Sequence, residues 1–427
     1  MSPLAIIGCL LVAATAMWIS ARLFGHPFSP FSVFYGAWFV AFALYNLHWI
    51  DYTPVRRPAW TLIGLSLVGF GLGWLIPYLL WNSRDVQDSE LVARQVSPER
   101  LRVVIVICCV LGAIGLAAFL AKVSSTLGLA TFIESPFDIR ELTGRGGALE
   151  EPLKIFDWLN VANVVLCSFY LFVVKGRRSW LVWPVLAFSV IALFLMEDRT
   201  HFFYACCWAG FVLLHSMRVT VKRILVLMAV GATLLLSQFL LVALWLGKVA
   251  EKSPVLMQAA NVRDAMVFLL PPYFYITVNF PALQAYMDSS PPPTHGYMTM
   301  YPAFRFFHAV DPTLAQPPMT PEFLQVPADA NTFTWVHQFY SDFGTTGVLI
   351  GSWIIGVVTA FVYFHMLGTR SFYSTLINGI FSYCLALSVF ANHFVQGPAW
   401  YFLVVSFLIA LWIKVPAASL RSVEARS

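Results

Sequence analysis

Eleven apolar windows of about membrane-spanning length leave this chain few folds to choose from. They fall at about 4–21, 31–50, 60–80, 101–121, 155–174, 179–196, 201–215, 224–246, 344–366, 372–391 and 399–415, and a helix needs roughly 20 apolar residues to cross a bilayer core. Composition agrees. Of the 427 residues, 59% are hydrophobic and 11% charged, where soluble domains carry about 25% charged residues; mean hydropathy is +0.75. The expected fold class is an all-α polytopic integral membrane protein with about eleven transmembrane helices. Segment 262–282 is a twelfth candidate, but Arg263, Asp264 and the Pro271-Pro272 pair shorten its apolar run, which suits a re-entrant or interfacial helix. Leu4–Ser20 ends without a small-residue cleavage site and reads as a retained first span. Three regions follow: a helix bundle over 1–246, a large loop containing short helices over 247–343, and the last spans with a short tail over 344–427. The seven cysteines all lie in apolar runs and read as small hydrophobes.

Lysine and arginine orient the bundle. With the carboxyl terminus inside, one set of loops carries 15 basic residues against five acidic ones, and the other side holds the remaining 11 basic and 16 acidic residues. The positive-inside rule favours this orientation. It places 247–343 outside, with the Arg56-Arg57 pair as the main departure. Long loops between spans are rare unless they serve a function, so the outer side is where chemistry is sought.

Its basic residues gather in short contexts. Arg140 and Arg145 stand in FDIRELTGRGGALEEP, where Gly144, Gly146 and Gly147 let backbone approach a ligand. Arg199 is the centre of the turn EDRTH, and Arg305 stands in YPAFRFF. Guanidinium groups bind phosphate bidentately and keep their charge, so arginines at the rim of a bundle suit a lipid diphosphate. The alternatives are ion pairs: Arg140 with Glu141 or Asp138, and Arg199 with Glu197 or Asp198. His295 and His337 are the histidines of the long loop and candidate general bases near neutral pH. The other histidines read as interfacial or unremarkable. Asp342 is either a base or the N-cap of the span that follows. Trp335, Tyr273, Tyr275 and Tyr301 offer flat surfaces to sugar or lipid. There is no DxD, no HxxxH, no carboxylate cluster at ligand spacing and no glycine-rich nucleotide loop, so neither metal nor cofactor is expected, and no nucleic-acid partner.

The order YFYITVNFPALQAYMDSS (273–290), a Pro/Gly-rich stretch, YPAFRFF (301–307) and NTFTWVHQFYSDFGTTGVLIGSWIIG (331–356) resembles the O-antigen polymerase type of oligosaccharide repeat-unit polymerase. The resemblance runs over about residues 120–400, and the NTFT-to-DFG-x-x-G segment is its most specific part. It implies a bundle similar to those of the lipid-linked-sugar (GT-C-like) glycosyltransferases. The implied enzyme sits in the bacterial inner membrane with its active site facing the periplasm. It needs no metal, and moves a glycan from one undecaprenyl-diphosphate carrier to a repeat unit on another, alongside a flippase and a chain-length regulator. By the same resemblance Arg199, Arg145, Arg305 and Arg140 bind the diphosphate. His337, His295 and Asp342 are its catalytic candidates, and Trp335, Tyr273 and Tyr301 its substrate contacts. Two other readings stay open: an O-antigen ligase of the same broad class, and a non-enzymatic polysaccharide or lipid transporter. Transporters often carry repeated halves around a mid-membrane site, whereas here no repeat is visible and the ionisable residues cluster at span ends.

Overall fold

The computed structural model describes residues 3–81, 91–126, 128, 152–174, 179–195, 199–217, 220–245, 254–311, 313 and 323–414. In chain order its main elements are α1 (Pro3–Leu23), α2 (Pro30–Tyr45), α3 (Arg57–Leu80), α4 (Pro98–Thr126), α5 (Leu159–Phe169), α6 (Val182–Leu195), α7 (Arg199–Ser216) and α8 (Val221–Trp245). After these come α9 (Leu270–Thr277), α10 (Asn279–Asp288), α11 (Tyr301–Val310), a two-stranded ribbon of β1 (Leu324–Gln325) and β2 (Asp329–Ala330), α12 (Val336–Thr369), α13 (Phe372–Ala386) and α14 (Gly397–Ile413).

Every apolar window of the sequence falls on a helix. Among the described residues five helices are long and apolar enough to cross a membrane: α1, α3, α4, Ile155–Val174 and α12. A bent pair, Met266–Thr277 with Asn279–Asp288, passes the same test together, and α2, α6 and α14 are shorter apolar helices. The chain is an all-α membrane protein. In hydrocarbon each backbone amide must find its partner inside the segment, which is why long apolar runs become helices. The seven cysteines lie on those helices, buried or half-buried.

Packing divides the chain into two units that interleave along the sequence. The first takes residues 1–86, 249–368 and 380–403; the second takes 87–248, 369–379 and 404–427. The long segment before α12 therefore packs with the first three helices. Its buried part is the bent pair: Asn279 to Gln284 are all buried, and Phe280 meets Trp38, Phe42, Tyr45 and Trp60. The Pro271-Pro272 pair opens α9 where a missing N–H costs nothing. Pro281 then has no N–H for the carbonyl four residues back, and α10 departs at 47°. Asn279 Nδ2 donates to the carbonyls of Tyr275 (2.8 Å) and Ile276 (3.1 Å) across the bend. Arg56, the outer-side exception in the charge pattern, pairs with Asp288 at the end of α10.

The core of this unit is aromatic. The Phe34 ring lies tilted against Phe70 (4.0 Å) and Trp335 (4.9 Å). Trp335 is fully buried, its Nε1 donates to Ser66 Oγ at 2.7 Å, and Ser66 Oγ lies 3.0 Å from Ser352 Oγ. Replacing Trp335 with Phe removes the donor from a dry site. The expected cost is about 1–3 kcal/mol, read as a lower thermal midpoint of the detergent-solubilised protein; an unchanged midpoint would show that this hydrogen bond carries no stability.

In the second unit α5 is buried along its whole length. Gly112 and Gly115 of α4 make room for it: a Cβ at Gly112 would fall 2.8 Å from the Asn160 amide, and one at Gly115 would fall 2.5 Å from the Asp157 nitrogen. Asn160 Nδ2 donates to Asp157 Oδ1 at 2.7 Å, with both residues buried. Trp208 of α7 donates to the Leu376 carbonyl of α13 at 3.0 Å.

Candidate functional site

The residues that carry the resemblance meet around the first two turns of α12. Thr334, at φ 67°, accepts the Val336 amide at 3.3 Å and caps the helix, so Asp342 is not its N-cap. Asp342 sits two turns inside, 3% exposed, and its carboxylate faces backwards along the chain. Oδ1 accepts from Thr294 Oγ1 (2.5 Å) and the Met298 amide (3.1 Å), and Oδ2 accepts from the Thr299 amide (2.6 Å). The neighbouring Ser341 carbonyl takes the Thr294 amide at 2.9 Å. One carboxylate and one carbonyl thus hold the turn 294–300 on the end of α12. His295 (φ 48°) and Gly296 (φ 95°) supply the left-handed conformations that the turn requires.

The other side of the site is aromatic. The Ser341 hydroxyl lies 2.7 Å from Tyr286 OH of α10 and donates to the His337 carbonyl at 2.8 Å. Tyr286 stacks on Phe333 (5.5 Å, 27°) and meets the His337 ring edge-on at 4.3 Å. His337 is 2% exposed between these two rings. Gly344 then breaks α12 at φ 63°, ψ −153°, a backbone region open essentially to glycine alone. Phe343, the residue before the break, is exposed.

The sequence-named residues divide as follows. His337, Asp342 and His295 come together here, and Tyr301, buried, and Arg305, exposed, follow at once on α11. Asp342 spends its acceptors on three donors, which makes it an anchor for the turn. His295 is exposed and His337 enclosed. Trp335 and Tyr273, expected to meet sugar or lipid, are internal. Tyr273 OH donates to the Leu44 carbonyl (3.1 Å), accepts the Trp49 amide (3.1 Å), and its ring stacks on Trp49 at 4.9 Å. Arg199 is the first residue of α7, in the second unit. Arg140 and Arg145 lie outside the described residues.

A feature with no signal in the sequence is a polar recess of about 500 Å³ lined by His48, Asp51, Gln258, Ala259, Ala260 and Asn261. It forms because the loop after α2 pairs with the stretch before α9: Asp51 N donates to the Ala259 carbonyl (2.8 Å), Asn261 N to the Trp49 carbonyl (2.7 Å), and Ile50 bridges Ala260. His48, unremarkable in the sequence, takes φ 51° there. Among the described residues no group of three or more His, Cys, Asp or Glu is placed to share a metal ion. No family model, no curated protein and no solved structure matches the chain.

Proposed function

We propose that this chain is an oligosaccharide repeat-unit polymerase of the O-antigen type, with about eleven spans, in the bacterial inner membrane. It joins undecaprenyl-diphosphate-linked repeat units on the periplasmic side. The observation that supports this most directly is that two of the stretches carrying the resemblance, 273–290 and 331–356, meet through Tyr286 and Ser341, while the Pro/Gly-rich stretch between them folds onto Asp342 through Thr294, Met298 and Thr299. A structureless connector between spans would not do this.

The leaving group in such a reaction is a lipid diphosphate, whose growing negative charge arginines neutralise. Arg199, Arg145, Arg305 and Arg140 take that role. The acceptor hydroxyl needs positioning and a proton acceptor, for which His295, the exposed histidine of the turn, and His337 remain the candidates. Asp342 supports them by fixing the turn.

The test is reconstitution of the purified protein with lipid-diphosphate-linked repeat units, with product read as a ladder on a gel. Wild type is expected to give a ladder that persists in EDTA. Arg199→Ala is expected to slow it by about a hundred-fold or more, the size of losing one charge-stabilising donor. No ladder with any repeat unit from the native host, while labelled lipid still crosses the bilayer, would overturn the polymerase in favour of transport.

A further inference from the structure

We propose that α11 is an interfacial helix, its exposed apolar face seated in the headgroup layer of the membrane that this chain crosses. The inference stands whether or not the chain polymerises sugars.

Depth comes first. Beyond its break at Gly344, α12 continues to Thr369, and Gly347–Leu367, without Asp, Glu, Lys or Arg, reaches about 30 Å at 1.5 Å per residue, the thickness of the hydrocarbon core. Ser341 and Asp342 stand only five or six residues before that run, at its headgroup end. These two residues hold the 294–300 turn, and α11 starts at the next residue, Tyr301. The clamp thus delivers α11 to the membrane surface.

The helix has the right faces for that place. Met300 is 56% exposed, Phe306 65%, Phe307 54% and Val310 71%. At 100° per residue Phe306, Phe307 and Val310 fall within an arc of about 100°, and Met300 is the residue just before the helix. Phe304, stacked on Tyr297 at 4.2 Å, and the buried Tyr301 occupy the inward side. Three large apolar side chains exposed together on a ten-residue helix, with Met300 beside them, are an interaction surface, and a short helix divided this way sinks its apolar face to the headgroup–acyl boundary. The apolar surface also continues to the span itself, since Phe343, 56% exposed on α12, lies against Gly296 of the same turn. Arg305, about 100° round from Phe306, is exposed away from the apolar arc, as the water-facing side of such a helix requires. The acid at the helix's end, Asp311, is engaged by the Thr313 hydroxyl (2.7 Å) and amide (3.0 Å).

The test uses the full chain in vesicles of phosphatidylglycerol and phosphatidylcholine. Phe306→Cys and Val310→Cys each carry an environment-sensitive fluorophore, and Gln325→Cys, exposed on the ribbon of the same unit, is the aqueous reference. Signal from the native cysteines is subtracted using the unsubstituted protein. Labels at 306 and 310 are expected to emit to the blue of the reference, to be quenched by nitroxides placed shallow in the lipid, and to be shielded from iodide. Labels at both positions as open to iodide as that at 325 would overturn the interfacial helix.

Discussion

Leucine at Gly73 is expected to abolish folding of the first unit, with no monodisperse protein recovered in detergent. α3 and α12 touch through backbone. A Cβ at Gly69 would lie 2.6 Å from the Leu349 carbonyl oxygen, and one at Gly73 would lie 2.9 Å from the Val357 amide and 3.0 Å from Gly356 Cα, besides meeting the Trp353 carbonyl. A Cβ at Gly356 would in turn meet the Phe70 carbonyl. Ser66 and Ser352 extend the same seam with their 3.0 Å hydrogen bond. Small residues at such spacing let membrane helices approach closely enough for dispersion and hydrogen bonds to hold them. Overpacking a core usually costs about 1–3 kcal/mol; here the obstructing atoms are main chain and the two helices must separate, so the cost exceeds that range. Gly64→Leu is the control, because nothing lies within 4 Å of a Cβ there. Equal yield and equal thermal midpoint for the two variants would sink the account of the seam.

Asp342→Ala is expected to release the turn 294–300 and with it α11, while α12 stays formed. The substitution strands one hydroxyl and two amides that the carboxylate now accepts. Charge-assisted bonds of this kind are worth about 1.5–3 kcal/mol each, less whatever water restores once the turn opens, so a local loss of about 3 kcal/mol is the expected scale. Asn is no remedy, since its amide nitrogen would face one of the donors. Hydrogen exchange read over 294–310 is the measurement, alongside the ladder assay. Protection and polymerisation falling together would fit an anchoring carboxylate. Activity lost with protection intact would instead make Asp342 a participant in the chemistry, and protection unchanged would show that the carboxylate does not hold the turn.

Much of this site was open to reading from the sequence, though not its internal roles. The stretch 331–347 stands out because it mixes titratable, aromatic and glycine residues before a clean apolar run. Gly344 in it does meet a backbone requirement that other residues fail. What the stretch does not reveal is partnership. Asp342 reads as an N-cap or a base because the residues it holds lie 43–48 positions earlier. Trp335 reads as a sugar platform because Ser66, which takes its indole proton, is 269 positions away. The recess beside His48 needs two segments more than 200 residues apart, and neither announces the other.

Hydropathy is a local sum, and lipid permits few backbone conformations, so the all-helical membrane class and the places of the long apolar helices were determined by the sequence alone. So were the breaks, since Pro281 and Gly344 act through their own covalent geometry. Which glycine meets a neighbouring backbone, which aromatic ring faces the core and which acid is an anchor were decided only by the tertiary structure. Those properties belong to pairs of residues, and a side chain's chemistry is completed by whatever packing sets beside it.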